Sequence, residues 1–171
     1  MQPKEDIEKQ YKVKDPWGFE SNPQDRIRKQ KIIDCLKSQR DQYERALDIG
    51  CGEGFITKDI PARKVYGYEI SDQARARLPK TVAPVLEPLD YSYDLITATG
   101  VFYGHYDWKH FGKIISCCAT DTILLCNISD WEVPNISDRD WVYDNWQARE
   151  VFSMEFPYRE WHQRLRVFEK L

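Results

Sequence analysis

The chain has 171 residues, enough for one domain. Its 42% hydrophobic and 31% charged residues allow a buried core and exclude a wholly disordered chain. A net charge of −3 sets it apart from basic nucleic-acid binders, so DNA is not an expected partner.

In chain order, residues 1–21 are polar and mixed in charge, which predicts a loose arm or lid ahead of a single domain over 22–171. Met1-Gln2-Pro3-Lys4-Glu5-Asp6 has no apolar signal-peptide core, and no apolar run reaches membrane-spanning length. A cytoplasmic protein without membrane contact, monomeric or homodimeric, is the expectation. Within the arm, Asp15-Pro16-Trp17-Gly18-Phe19-Glu20-Ser21 sets two aromatics among turn formers. Asn22-Pro23 reads as an N-cap with proline at the first helical position. The helix it opens is predicted to run to about Ser38, with Ile27, Ile32, Ile33 and Leu36 on its apolar face.

The first strand is expected at about 45–49, and a short helix after Gly54 stops before Pro61. Strand 64–70 follows, and Ser71 or Asp72 caps a short helix ending near Pro79. Thr81–Leu86, interrupted by Pro84, reads as a third strand at a sheet edge. The fourth strand, Tyr93–Thr99, ends at Gly100 and precedes a helix over 107–118 and the strand Thr122–Cys126. Ser137-Asp138-Arg139-Asp140 predicts a helix over 138–148. Val151–Tyr158 and Arg164–Lys170 partly alternate apolar and polar residues and predict a closing antiparallel pair. Strands alternating with helices predict an α/β fold, a seven-stranded mostly parallel sheet with helices on both faces. Five cysteines show no CxxC spacing and join no histidine cluster. They read as reduced thiols, and no metal site is expected.

Asp48-Ile49-Gly50-Cys51-Gly52-Glu53-Gly54 carries the chemistry. A strand runs into a glycine turn, and a second acid, Glu69, ends the next strand at Val65-Tyr66-Gly67-Tyr68-Glu69. That is the layout of a nucleotide-binding crevice. Dinucleotide folds place their glycines at GxGxxG, but Phe55 occupies the third of those positions here. Glycine lets the backbone turn with no Cβ in a ligand's way. An acid at the strand end suits an ammonium group, and an ionised carboxylate accepts two ribose hydroxyls.

This pattern resembles motif I of the class I S-adenosylmethionine (SAM) methyltransferases, whose fold is Rossmann-like with an antiparallel last strand. The likeness extends over about residues 15–104 to the NodS-like group, typified by nodulation enzymes that N-methylate an amino sugar. It rests on Asp15-Pro16-Trp17-Gly18-Phe19, Ser21-Asn22-Pro23, the run from Tyr43 to Gly54, and Val101-Phe102-Tyr103. Asn22 splits the group's Ser-Pro pair, and Asp48 replaces its glutamate.

The resemblance implies SAM as cofactor and S-adenosylhomocysteine (SAH) as product. Asp48, Gly50, Cys51, Gly52 and Gly54 would lie at its methionine end, with Thr99, Gly100 and Val101 after the fourth strand. Glu69 would take the ribose, and adenine would rest between Ile70 and the loop at Leu86 and Glu87. Trp17 and Arg28 would belong to a lid, the indole facing the sulfonium and the guanidinium the carboxylate. Read from the residues alone, Trp17 can equally pin the arm to the core, and Arg28 can lie on a solvated helix face.

Methyl transfer is an in-line displacement in which the enzyme aligns the reactants and excludes water. An amine acceptor needs only to be neutral, whereas a hydroxyl usually needs a base. His105 is the candidate base and Tyr103 an orienting group, both in the loop after the fourth strand. That loop has neither the Asn-Pro-Pro-Tyr of base-amine methylation nor the Pro-Cys of cytosine-carbon methylation. A small-molecule or saccharide acceptor is therefore expected, with Trp131–Trp146 as its candidate wall. The alternatives are a SAM-binding partner subunit with weak catalysis of its own, and a nicotinamide oxidoreductase that Phe55 disfavours.

Overall fold

The structure is a computed structural model that describes residues 3–90, 92–101, 108–129 and 147–171. Seven strands form one sheet: β1 (Tyr43–Ile49), β2 (Ala62–Tyr68), β3 (Val82–Val85), β4 (Tyr93–Thr99), β5 (Ala119–Ile128), β6 (Ala148–Tyr158) and β7 (Trp161–Lys170). Their order is β3-β2-β1-β4-β5-β7-β6. The first five pair in parallel, whereas β7 runs antiparallel to both β5 and β6. The predicted class holds, and Pro84 lies in the edge strand β3, where its missing N–H disturbs no inner pairing. The strand order reverses between β1 and β4, which opens a crevice at their carboxyl ends.

The helices are α1 (Lys4–Gln10), α2 (Pro23–Gln39), α3 (Asp72–Ala76) and α4 (Trp108–Cys118). The Asn22 side chain caps α2 by accepting the Gln24 N–H at 2.9 Å, and Pro23 opens the first turn. Ser71 caps α3 in the same way through the Ala74 N–H. Alternation along the strands sorts the core onto two faces. Leu47 and Ile49 pack with Phe111, Ile114 and Ile115 of α4. Ala46 turns to the other face, with Ile32, Ile33 and Leu36 of α2. Asp48 alternates to that same α2 face, next to the crevice.

Four expectations change. The arm is not loose: residues 4–10 form α1, and Tyr11 behind it is only 4% exposed. A single 3₁₀ turn, Thr57–Asp59, stands where a short helix was expected. Ile27 is 56% exposed, and α2 turns Asp25 and Arg28 inward in line with Ile32 and Leu36. Residues 138–146 of the predicted late helix lie outside the described residues, and Ala148 already begins β6. Among the described residues, no helix is long and apolar enough to cross a membrane.

Candidate active site

The crevice opens into a cavity of about 540 Å³ at the carboxyl ends of β1 and β4. Trp17, Arg28, Asp48, Gly50, Cys51, Gly52, Thr99 and Gly100 of the predicted set line it. Two glycines have packing reasons as well as ligand reasons. Gly50 has φ 66°, and a Cβ on it would meet a Val101 methyl at 2.7 Å. Gly52 has φ 54°, and its Cβ would lie 2.7 Å from the Tyr11 hydroxyl. Either site would strain any larger residue.

Asp48 sits 2% exposed between two hydroxyls. Thr57 donates to one carboxylate oxygen at 2.6 Å, and Thr97 donates to the other at 2.7 Å. Burial pushes its pKa up to about 6, and the two hydroxyls and the Arg28 charge hold it from going higher. A cation entering here would ionise it fully. Arg28 is 4% exposed, so it is no solvated helix residue. Its guanidinium lies over the Tyr158 ring, 5.4 Å from the centroid, beside the buried Cys126 thiol.

Glu69 is held differently from the expectation of an open ribose acceptor. Its oxygens accept the Gly52 N–H at 3.0 Å and the Ser71 N–H at 2.9 Å, and it is 6% exposed. Burial raises its pKa, against the pull of those two N–H groups and Arg75. Glu69, Ile70, Leu86, Glu87, Gly54 and Val101 do not line the cavity. The physical reason is the arm. Glu8 of α1 accepts from the Ser71 hydroxyl and the Asp72 N–H, which fastens α1 over the start of α3. Tyr11 then seats on Gly52 beside Glu69, where burial and that acid raise its pKa. Leu86 is left 73% exposed at the sheet edge, and Gly54 packs under Pro79. Glu69 keeps unused lone pairs, so it can still accept a hydroxyl once Tyr11 moves.

Residues that sequence reasoning missed complete the wall. Arg77 ion-pairs with Glu53 at 2.8 Å and donates to the Tyr11 carbonyl at 2.6 Å, while Glu53 accepts the Asp15 N–H at 3.0 Å. These bonds close the arm onto the glycine turn. Trp17 meets Tyr11 edge-on at 5.1 Å and stacks with Phe19 at 5.7 Å, so it both pins the arm and lines the cavity. From the far end of the chain, Ile128, Tyr158, Arg159, Trp161 and Gln163 line the opposite side. His105 and Tyr103, the candidate base and orienting group, lie outside the described residues, as do 131–146 of the expected acceptor wall. Among the described residues no cluster of three or more His, Cys, Asp or Glu side chains could hold a metal.

A methyltransferase-domain family model matches residues 19–166. The chain belongs to the methyltransferase-domain family. The N-methyltransferase NodS from Bradyrhizobium japonicum WM9, solved with SAH, is similar in structure, with TM-score 0.78, 16% identity and 97% of each chain covered. The magnesium protoporphyrin IX methyltransferase from Synechocystis PCC 6803, solved with bound SAM, gives TM-score 0.77 at 14% identity, over 100% of this chain and 98% of that one. A putative RNA methyltransferase from Pyrococcus horikoshii gives 0.64 at 12%, over 100% and 98%. No curated protein sequence matches the chain.

SAM is the cofactor consistent with this methyltransferase domain and with its structural relatives crystallised with SAM or SAH. The donor set fits that group. Asp48 offers an anion to an ammonium, Arg28 a fork to a carboxylate, and Gly50 and Gly52 a turn without Cβ atoms. Glu69 would offer a carboxylate to hydroxyls only with Tyr11 displaced from Gly52.

Proposed function

We propose that the protein methylates an amine or hydroxyl of a small molecule or saccharide, using SAM. One observation carries the reading. One cavity is lined by the glycine turn and Asp48, by the end of β4, and by an aromatic and cationic wall from β6 and β7, which suits a cofactor and an acceptor sharing one space. Bound SAM supplies an activated methyl group. The chain's own residues do the rest. Asp48 and Arg28 hold the two ends of a zwitterion, and the arm, clasped through Glu53 and Arg77, keeps water out. His105 takes the proton of a hydroxyl acceptor, or is dispensable when the acceptor is a neutral amine.

The sequence resemblance over residues 15–104 supports an amino-sugar acceptor of the NodS-like kind as the first to try. Substrate-contacting groups come from loops that vary, so the acceptor does not follow from the fold.

A calorimetric titration with SAH tests the reading. One site of about micromolar affinity or tighter is expected, near −8 kcal/mol. Absence of binding, even after deletion of residues 1–14, would put the partner-subunit alternative first. The Tyr11 contact with Gly52 is the observation in favour of that alternative, because it closes the ribose side.

A further inference from the structure

The cavity wall opposite the glycine turn is the β6–β7 hairpin, and its turn is unusual. Arg159 and Glu160 form the two-residue connection, and Arg159 adopts φ 54°. Glycine or asparagine would occupy that conformation at lower cost. Non-glycine residues persist there when their surroundings hold them, and such strain gathers at functional sites.

The surroundings are specific. The Arg159 backbone N–H donates to the Gln24 side-chain oxygen. Its Nη2 donates to Asp25 at 2.8 Å and to the Trp17 carbonyl at 3.0 Å. Asp25 is fully buried and also accepts the Tyr158 hydroxyl at 2.6 Å, so both its oxygens are engaged. Among the described residues, the hydrogen bonds of Arg159 use the backbone N–H and Nη2, and its guanidinium lies over the Tyr158 ring, 5.5 Å from the centroid. Nε and Nη1 remain on a side chain that is 30% exposed and lines the cavity.

A second, independent group points the same way. Gln163 is 1% exposed yet lines the cavity. Its side-chain oxygen accepts the Cys126 thiol at 3.1 Å, and its amide nitrogen has no partner among the described residues. An amide N–H₂ on a residue that lines a cavity is a donor a ligand can use. Trp161 lies two residues earlier on β7, hence on the same strand face, and also lines the cavity.

The wall therefore presents donors and positive charge. Asp25, the acid that Arg159 and Tyr158 engage, is buried and does not line the cavity. The Nη1 of Arg159 and the amide N–H₂ of Gln163, both on groups that line the cavity, offer one donor for each oxygen of a carboxylate.

We infer that Arg159 and Gln163 select an acceptor that carries a carboxylate, with a ring of that acceptor against Trp161. The inference rests on the methyl-transfer reading and adds the anchoring group, which is separate from the atom that receives the methyl.

The experiment is a ligand-observed NMR titration of the SAH-loaded full chain with benzoate, benzamide and benzylamine. Benzoate is expected to bind at least tenfold more tightly than the other two. Arg159→Asn, which suits the turn, and Gln163→Leu should each cut that preference fivefold or more while SAH affinity moves less than twofold. Arg159→Asn strands the Asp25 charge, so Asp25→Asn/Arg159→Asn serves as the second variant should the first fail to fold. Equal binding of acid and amide, preference for the amine, no benzoate binding, or a preference that survives the variants would overturn the inference. Absence of SAH binding by both the full chain and the chain lacking residues 1–14 would instead remove the methyl-transfer reading, and this one with it.

Discussion

The carboxylate of Asp48 and the hydroxyl of Thr97 meet at 2.7 Å across the β1–β4 pair, where the two residues stand in register. The bond fixes a buried acid at the point where the strand order reverses. Its pKa of about 6 makes cofactor affinity dependent on pH. Binding of an ammonium needs the ionised form, so SAH affinity should be flat above pH 7 and fall by up to about tenfold per unit below pH 6. Titrations at pH 5, 6 and 7.5 check this. Asp48→Asn should weaken binding at pH 7.5 and remove the slope.

The same residue predicts a change in stability of the opposite sign. Asp48 titrates near 6 in the fold and near its ordinary 3.8 when unfolded. The folded chain binds more protons between those values, so this group's contribution is greatest below pH 4 and declines as pH rises to 6. At pH 7.5 the charge is a burden on the ligand-free protein. Asp48→Asn should then stabilise it by about 1–3 kcal/mol, read by urea unfolding without SAH. A destabilised variant would contradict the burial account.

Glu69→Ala should weaken SAH binding tenfold or more, about 1.4 kcal/mol. Its oxygens also hold the Gly52 and Ser71 N–H groups, so a lower melting temperature should accompany the loss. Near-native affinity by calorimetry would remove the ribose assignment.

Gly52→Ala probes the arm. The new methyl would meet the Tyr11 hydroxyl at 2.7 Å, while the next ring atom stands at 3.8 Å. The substitution should cost about 1–3 kcal/mol, part from the clash and part from the left-handed backbone. In a Tyr11→Phe background the clash disappears and about 1 kcal/mol of backbone cost remains. An identical cost in both backgrounds would mean that Tyr11 does not rest on the turn.

His105→Ala should slow turnover on a hydroxyl acceptor by about 10²-fold or more and leave SAH affinity unchanged. Unchanged kcat with an accepted substrate would discard His105 as the base.

What the sequence by itself determined was local. Asp48 to Gly54 and the caps at Asn22 and Ser71 are short-range signals, because a glycine turn or an N-cap is set by residues a few positions apart. The alternating strands and the antiparallel closing pair were legible for the same reason. Tertiary structure decided which way the inner face of α2 turned. Asp25 and Arg28 break its apolar period, so periodicity pointed to Ile27, whereas the docked helix turns those two charges toward the crevice. It also decided that Tyr11 covers Glu69, a relation between an arm and a strand end that no local spacing encodes. The wall of Tyr158, Arg159, Trp161 and Gln163 was hidden for a similar reason. Those residues reach α2 and the glycine turn only because β7 and β6 follow β5 in the sheet, more than a hundred residues after the motif they face. Long-range pairing of that kind is set by the packing of the whole sheet.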